Sequence, residues 1–223
     1  MGNGNRSFGL DFNKSAFFER SNSFPDTPSG KVIEKIPPLN YMTKVFDFYR
    51  ILNTLKFTKR KGWEEKGMNS DSIASHSFGA ESIGWYIAVS EKINPQKVVI
   101  MLLIHDFVMA KMEDVTPLSG KYGKKREMEE VAKTVIFNGL PKRMRKEYKA
   151  LFDEFQAGTT KEAIIAREAD KLETLFQGDV YEEQTGRNDI LDGFFEPYEK
   201  FIKTHTGRKM YDDLKEKHEK SKK

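Results

Sequence analysis

The residues with most chemistry to offer are His76, the adjacent pair His105 and Asp106, and Asp170. His105 and Asp106 follow directly on the run VVIMLLI, a composition that belongs in a protein interior. An imidazole beside a carboxylate is costly to bury unless both are hydrogen-bonded or share a cation. Two readings meet that demand: a core histidine satisfied by its own neighbour, or a pair of metal ligands. His76 sits in a second apolar stretch with Phe78, Ala80 and Ile83, and Asp170 stands in the middle of a third, between Ile164 and Leu172. Brought to one point, two imidazoles and two carboxylates with open positions suit Mn, Fe, Co, Ni or Zn. Such a site binds a water, lowers its pKa and polarises a phosphoryl oxygen. The chain has no cysteine, which excludes disulfides, thiolate nucleophiles and thiolate zinc sites.

These residues need rigid elements to position them, and the hydrophobic spacing points to helices throughout. Residues 1–38, rich in Gly, Asn, Ser and Pro, show no sustained period and read as a poorly structured extension. Its phenylalanines, Phe8, Phe12, Phe17, Phe18 and Phe24, leave room for docking on the body or a partner. From Tyr41 onward, Val45, Phe48, Tyr49, Leu52 and Leu55 recur at helical steps. A loop is expected over residues 59–71, then a helix over 72–90 capped by Ser70 or Asp71 and buried through Ile73, Phe78, Ile83, Trp85 and Ile87. Residues 94–112 open on Asn94-Pro95, an N-cap and first-turn pair. Periodicity alone also allows a buried strand there; length and the Asn-Pro start favour a helix. Further helices are expected over 124–138, 142–155 and 160–183, with a last one from 194 to 204 and on toward 217. The fold class is therefore all-α: a single bundle of about six or seven helices, residues 39–205, with 206–223 as a basic C-terminal helix or tail.

Composition bounds the partners. The 223 residues carry 38 basic and 34 acidic side chains, a net charge of +4, so the signs nearly cancel and nucleic-acid binding gains little support. The surplus lies at residues 215–223 and 121–126, where Lys121, Lys124, Lys125 and Arg126 form either a phosphate-attracting patch or an exposed helix start. No stretch approaches the ~18 apolar residues of a membrane span. A cytoplasmic address is the expectation, with Phe194, Phe195, Tyr198 and Phe201 serving either the core or a homodimer interface.

The order His76, then His105-Asp106, then Asp170 resembles the H…HD…D signature of HD-domain phosphohydrolases. The surrounding pieces resemble the 5'-deoxynucleotidase branch: Arg60-Lys61-Gly62-Trp63, Ser72-Ile73-Ala74-Ser75-His76-Ser77, Leu102-Leu103-Ile104-His105-Asp106, Glu113-Asp114-Val115-Thr116-Pro117 and Glu168-Ala169-Asp170-Lys171-Leu172-Glu173. The resemblance implies a divalent cation on His76, His105, Asp106 and Asp170. It also implies a nucleotide held by Arg60 at the phosphate and Trp63 at the sugar or base, and Asp114 near the sugar hydroxyl. The implied reaction removes the 5'-phosphate from a (deoxy)nucleoside monophosphate by metal-activated water.

At one point the chain departs from this pattern. The family reads His-Asp-x-x-Glu, with the glutamate polarising the water, and Met109 stands in its place. Glu113 replaces the family glycine before Asp114. If the helix continues past His105, residues 105, 109 and 113 share a face, which makes Glu113 a candidate replacement. Two other functions stay open: an HD hydrolase of deoxynucleoside triphosphates or cyclic nucleotides, and a non-catalytic protein that binds metal and nucleotide.

Overall fold

The computed structural model describes residues 39–112 and 122–222, and the regular elements among them are helices. They are α1 (Leu39–Asn53), α2 (Lys61–Glu65), α3 (Ile73–Ser90), α4 (Pro95–His105), α5 (Lys125–Asn138), α6 (Lys142–Ala157), α7 (Lys161–Thr185), α8 (Phe195–Glu199) and α9 (His205–Ser221), with short 3-10 turns between some of them. The all-α expectation holds. The count exceeds six or seven through α2 and α8, five-residue helices too short to show a hydrophobic period. The expected N-terminal extension, Glu113, Asp114 and Lys121 lie outside the described residues. No helix among those described is long and apolar enough to cross a membrane.

The caps explain where the long helices begin. Asn94 accepts a hydrogen bond from the Lys97 amide with Pro95 in the first turn, and Thr160 accepts one from Ala163; each satisfies an amide with no partner inside its helix. At α3 the cap is Ser72, which accepts from Ser75 N, and not Ser70 or Asp71. Ser70 is spent on the preceding loop, where its hydroxyl donates to the Arg60 carbonyl at 2.9 Å and accepts from the Arg60 amide at 3.1 Å. Gly158 closes α6 in the left-handed conformation, at φ +62°.

Helices α3, α4 and α7 pack against one another around Ala80, Ile87, Val98, Met101, Leu102, Ala166, Ala169 and Leu172. The buried face of α3 runs through Ile73, His76, Ser77, Ala80, Gly84, Ile87 and Ala88. Phe78 and Trp85 lie off that face and are 72% and 48% exposed, contrary to expectation. The second half of α3 is apolar all round, so its composition did not say which side turns inward; small residues let α4 and α7 approach the side that did. Gly84 marks the closest approach: a Cβ there would lie 2.4 Å from Leu102 Cδ1 and 3.1 Å from Val98 Cγ1. A second cluster, with Ile104, Phe107, Val108, Met109, Ile136 and Phe152, joins the end of α4 to α5 and α6.

One expectation, the extent of the fourth helix, needs correction. The α-helix of residues 94–112 stops at His105; Asp106 caps it, and Phe107–Ala110 is a 3-10 turn. Residues 105 and 109 therefore do not share one α-helical face. Of the aromatic residues open to a role in the core or in a dimer interface, Phe195 is buried in the main core, Phe194 is half-buried and stacks on Trp63, and Tyr198 packs edge-on to Phe194. Helix α9 buries Tyr211 and Leu214 in that core.

Replacing Gly84 by Ala tests the α3–α4 contact. Overpacking at this site costs about 1–3 kcal/mol, more than the ~1 kcal/mol that alanine gains in helix propensity. We expect a lower urea midpoint with an unchanged slope; a raised midpoint would show that the two helices separate freely.

Candidate metal centre

Each of the three packed helices brings part of the site. His76 projects from the first turns of α3, His105 is the last residue of α4, Asp106 is its cap, and Asp170 lies in the middle of α7. One nitrogen of each imidazole and one Asp170 oxygen lie within 4.8 Å of one another. His76 Nε2 is 3.3 Å from Asp170 Oδ1 and 3.8 Å from Asp106 Oδ2, and His105 Nε2 is 3.4 Å from the same Asp106 oxygen. Three of the four residues that sequence reasoning proposed as ligands, His76, His105 and Asp170, thus converge on one point, and Asp106 lies beside the two imidazoles.

Both rings are turned the same way by what holds their other nitrogen. The His105 Nδ1–H donates to the Leu102 carbonyl at 2.5 Å, a group near the helix end where carbonyls lack intrahelical partners. The His76 Nδ1–H donates to the Glu173 carboxylate. Each arrangement leaves Nε2 as the atom facing the carboxylates, the orientation that metal-binding histidines take. His105 Nε2 is buried with no hydrogen-bond partner, a costly state for a polar atom that a cation would relieve.

The charges around the site point the same way. The Arg60 guanidinium feels four carboxylates, Glu173, Asp71, Asp170 and Asp106, and Lys171 lies 2.8 Å from Asp170 Oδ2. Four carboxylates against these two side-chain cations are a formal excess of two negative charges, which a divalent cation would match. The His/His/carboxylate donor set fits such an ion.

Without a metal, a proton partly fills that role. Burial and the Arg60 charge lower the His76 pKa, yet hydrogen bonds to Asp170 and Glu173 outweigh them and push it up to about 9. Burial raises the Asp170 pKa, but Lys171 and the imidazoles hold it well below the usual carboxylate range.

Sequence reasoning placed Arg60 and Trp63 on the substrate. In the structure Arg60 Nη1 donates to Glu173 at 3.2 Å and Nη2 to Thr174 Oγ1 at 2.8 Å. Trp63 is 2% exposed, stacked on Phe194 with ring centroids 5.1 Å apart and edge-on to Tyr181. Its ring is thus packed within the chain, and Arg60 stands between it and the carboxylates. Reasoning from residue types missed Glu173, Asp71 and Lys171 as neighbours of the site. Glu173 was legible as three residues beyond Asp170 on one helix, hence on its face.

Comparison with known proteins identifies the family. An HD domain model matches residues 52–207. The chain belongs to the HD-domain family. Among its relatives, a protein of Saccharomyces cerevisiae named 5'-deoxynucleotidase YBR242W is 30% identical over 166 residues, covering 71% of this chain and 68% of that one. One of Dictyostelium discoideum named 5'-deoxynucleotidase HDDC2 is 29% identical over 153 residues, covering 64% and 80%. A crystal structure from Pyrococcus horikoshii OT3 superposes with a TM-score of 0.63 at 29% identity, over 77% of this chain and 96% of that one. The HD pair of this chain is His105-Asp106, at the end of α4.

A pH series on chelator-treated protein tests the charge reading. A raised His76 pKa contributes stability that is fully present below the ordinary imidazole value of 6.5 and is lost as pH climbs through about 9. Asp170, with its lowered pKa, contributes above 3.8 and loses its share as pH falls through the folded-state value. The urea midpoint should therefore decline between 6.5 and 9, and His76→Asn should flatten that decline. A level midpoint in the unsubstituted protein would refute the assignment.

Proposed function

We propose that this HD protein is a metal-dependent phosphohydrolase that removes the 5'-phosphate from deoxynucleoside monophosphates, the activity named for its relatives. The observation that carries the reading is the pair of imidazoles whose Nε2 atoms face the Asp106 and Asp170 carboxylates, with His105 Nε2 buried and unpartnered. His76, His105, Asp106 and Asp170 would hold the cation. When bound, it supplies Lewis-acid polarisation of a phosphoryl oxygen and acidifies a water; Mn, Co, Ni, Fe and Zn all suit the donors.

The chain's own residues do the rest. Arg60 donates to a phosphate oxygen with the N–H groups not engaged by Glu173 and Thr174. Lys171, 27% exposed at its side chain and paired with Asp170, adds positive potential beside the phosphoryl group as its bond to the nucleoside 5'-oxygen breaks and that oxygen, taking a proton, departs as the nucleoside hydroxyl. Trp63, buried against Phe194 and Tyr181, supports Arg60 from beneath. Asp114 orients the sugar through its hydroxyl, and Glu113 takes the proton from the attacking water.

Met109 has no proton to move. It is 8% exposed and packed with Phe107, Val108 and Ile136, so the position of the family glutamate is part of the apolar core. That observation favours a second reading, a protein that binds metal and nucleotide without turnover.

Phosphate release from a panel of ribo- and deoxynucleoside mono- and triphosphates, after stripping and resupply of each metal, separates the two. We expect metal-dependent release from monophosphates that His105→Ala abolishes. Glu113→Gln should slow it about 10²–10⁴-fold, the usual worth of a general base. Undiminished turnover in that variant would remove Glu113 from the mechanism, and metal uptake with no turnover on any substrate would establish the second reading.

A further inference from the structure

The two histidines of the centre are held in place by different means. His105 leans on the Leu102 backbone carbonyl at 2.5 Å, a contact that no side-chain substitution removes. At Nδ1, the nitrogen away from the centre, His76 is held by a side chain, the Glu173 carboxylate. Glu173 is 6% exposed, one turn beyond Asp170 on α7 and across from His76 on α3.

Two further features serve that carboxylate. Arg60 Nη1 donates to Glu173 Oε2, the same oxygen that accepts the His76 proton, at 3.2 Å. Arg60 is steadied in turn by Thr174 Oγ1 at 2.8 Å and stands 3.9 Å from Asp71 Oδ2. Gly79, three residues after His76, leaves the space that Glu173 enters: a Cβ there would lie 2.9 Å from Glu173 Cγ and 3.0 Å from its Oε1. A larger residue at 79 would push the carboxylate off the imidazole.

We infer that Glu173 is the positioning residue of this centre: its carboxylate accepts the His76 Nδ1 proton, fixing the ring so that Nε2 is presented to the cation, with Arg60 and Gly79 keeping the carboxylate in place. The inference rests on the reading of His76 as a metal ligand. Glu173 touches neither substrate nor the reacting atoms; it acts through His76. The chemical reason is general, since a carboxylate on the far nitrogen selects the tautomer and raises the basicity of the ligating one.

The test uses the full chain, stripped of metal and titrated with Co(II) alone, reading affinity by competition with a chelator and ligand field by the visible spectrum. For Glu173→Gln we expect Co(II) affinity to fall about 10–100-fold, the usual worth of such an outer partner, with a shifted visible band. Gly79→Ala should move both readouts in the same direction while altering no polar group. If the glutamine variant does not fold, the unsubstituted protein carries the test. Loaded with Zn(II), its imidazole nitrogen spectrum should show His76 protonated at Nδ1 and metallated at Nε2; metallation at Nδ1 would overturn the inference. Equal Co(II) affinity and spectrum in the unsubstituted protein and Glu173→Gln would also overturn it while leaving the metal reading intact. No Co(II) uptake by the unsubstituted protein would instead overturn the metal reading itself.

Discussion

Four carboxylates and two imidazoles gathered between α3, α4 and α7 impose the demand that the rest of this structure answers. Placing that much negative charge in a protein interior is unfavourable unless cations and hydrogen bonds offset it. Arg60 and Lys171 offset part, each directed at a carboxylate. The remainder is a deficit of the size that a divalent ion meets. The surrounding apolar packing, from Ala80 to Leu172, buries the two imidazoles, while the Asp106 side chain stays 24% exposed.

That demand also explains why the polar residues are arranged in layers. Donors nearest the centre come from three helices, so their spacing depends on how closely those helices pack. Behind them, Glu173 and Leu102 turn the rings. Behind Glu173, Arg60 is tied to Thr174 and faces Asp71, whose carboxylate in turn accepts from the Tyr181 hydroxyl at 3.2 Å. The loop before α3 is therefore bound to α7 by charge as well as by the stacking of Trp63.

Much of this was legible in the amino-acid sequence. Helical spacing and the caps at Asn94 and Thr160 located α4 and α7, and three of the four candidate ligands come together, with Asp106 beside the imidazoles. What was not legible has physical causes. The run through VVIMLLIHDFVMA is apolar on every side, so nothing in its periodicity marked the end of α4 at His105. Phe78 and Trp85 misled because size suggested burial, while close helix approach selects small residues such as Ala80 and Gly84. Glu173 was overlooked because a carboxylate on a charged helix has the same appearance whether it faces water or an imidazole.

The stop at His105 carries a consequence for how this chain tolerates insertions and deletions. Helix α4 is anchored at one end by Asn94 and Pro95 and delivers His105 and Asp106 at the other, after eleven residues. One residue added between them would turn the His-Asp pair about 100° around the helix axis and advance it ~1.5 Å, taking both side chains away from α3 and α7. The length of α4 is thus as stringent a requirement as the identity of the ligands, although ten of its eleven residues carry no ligand.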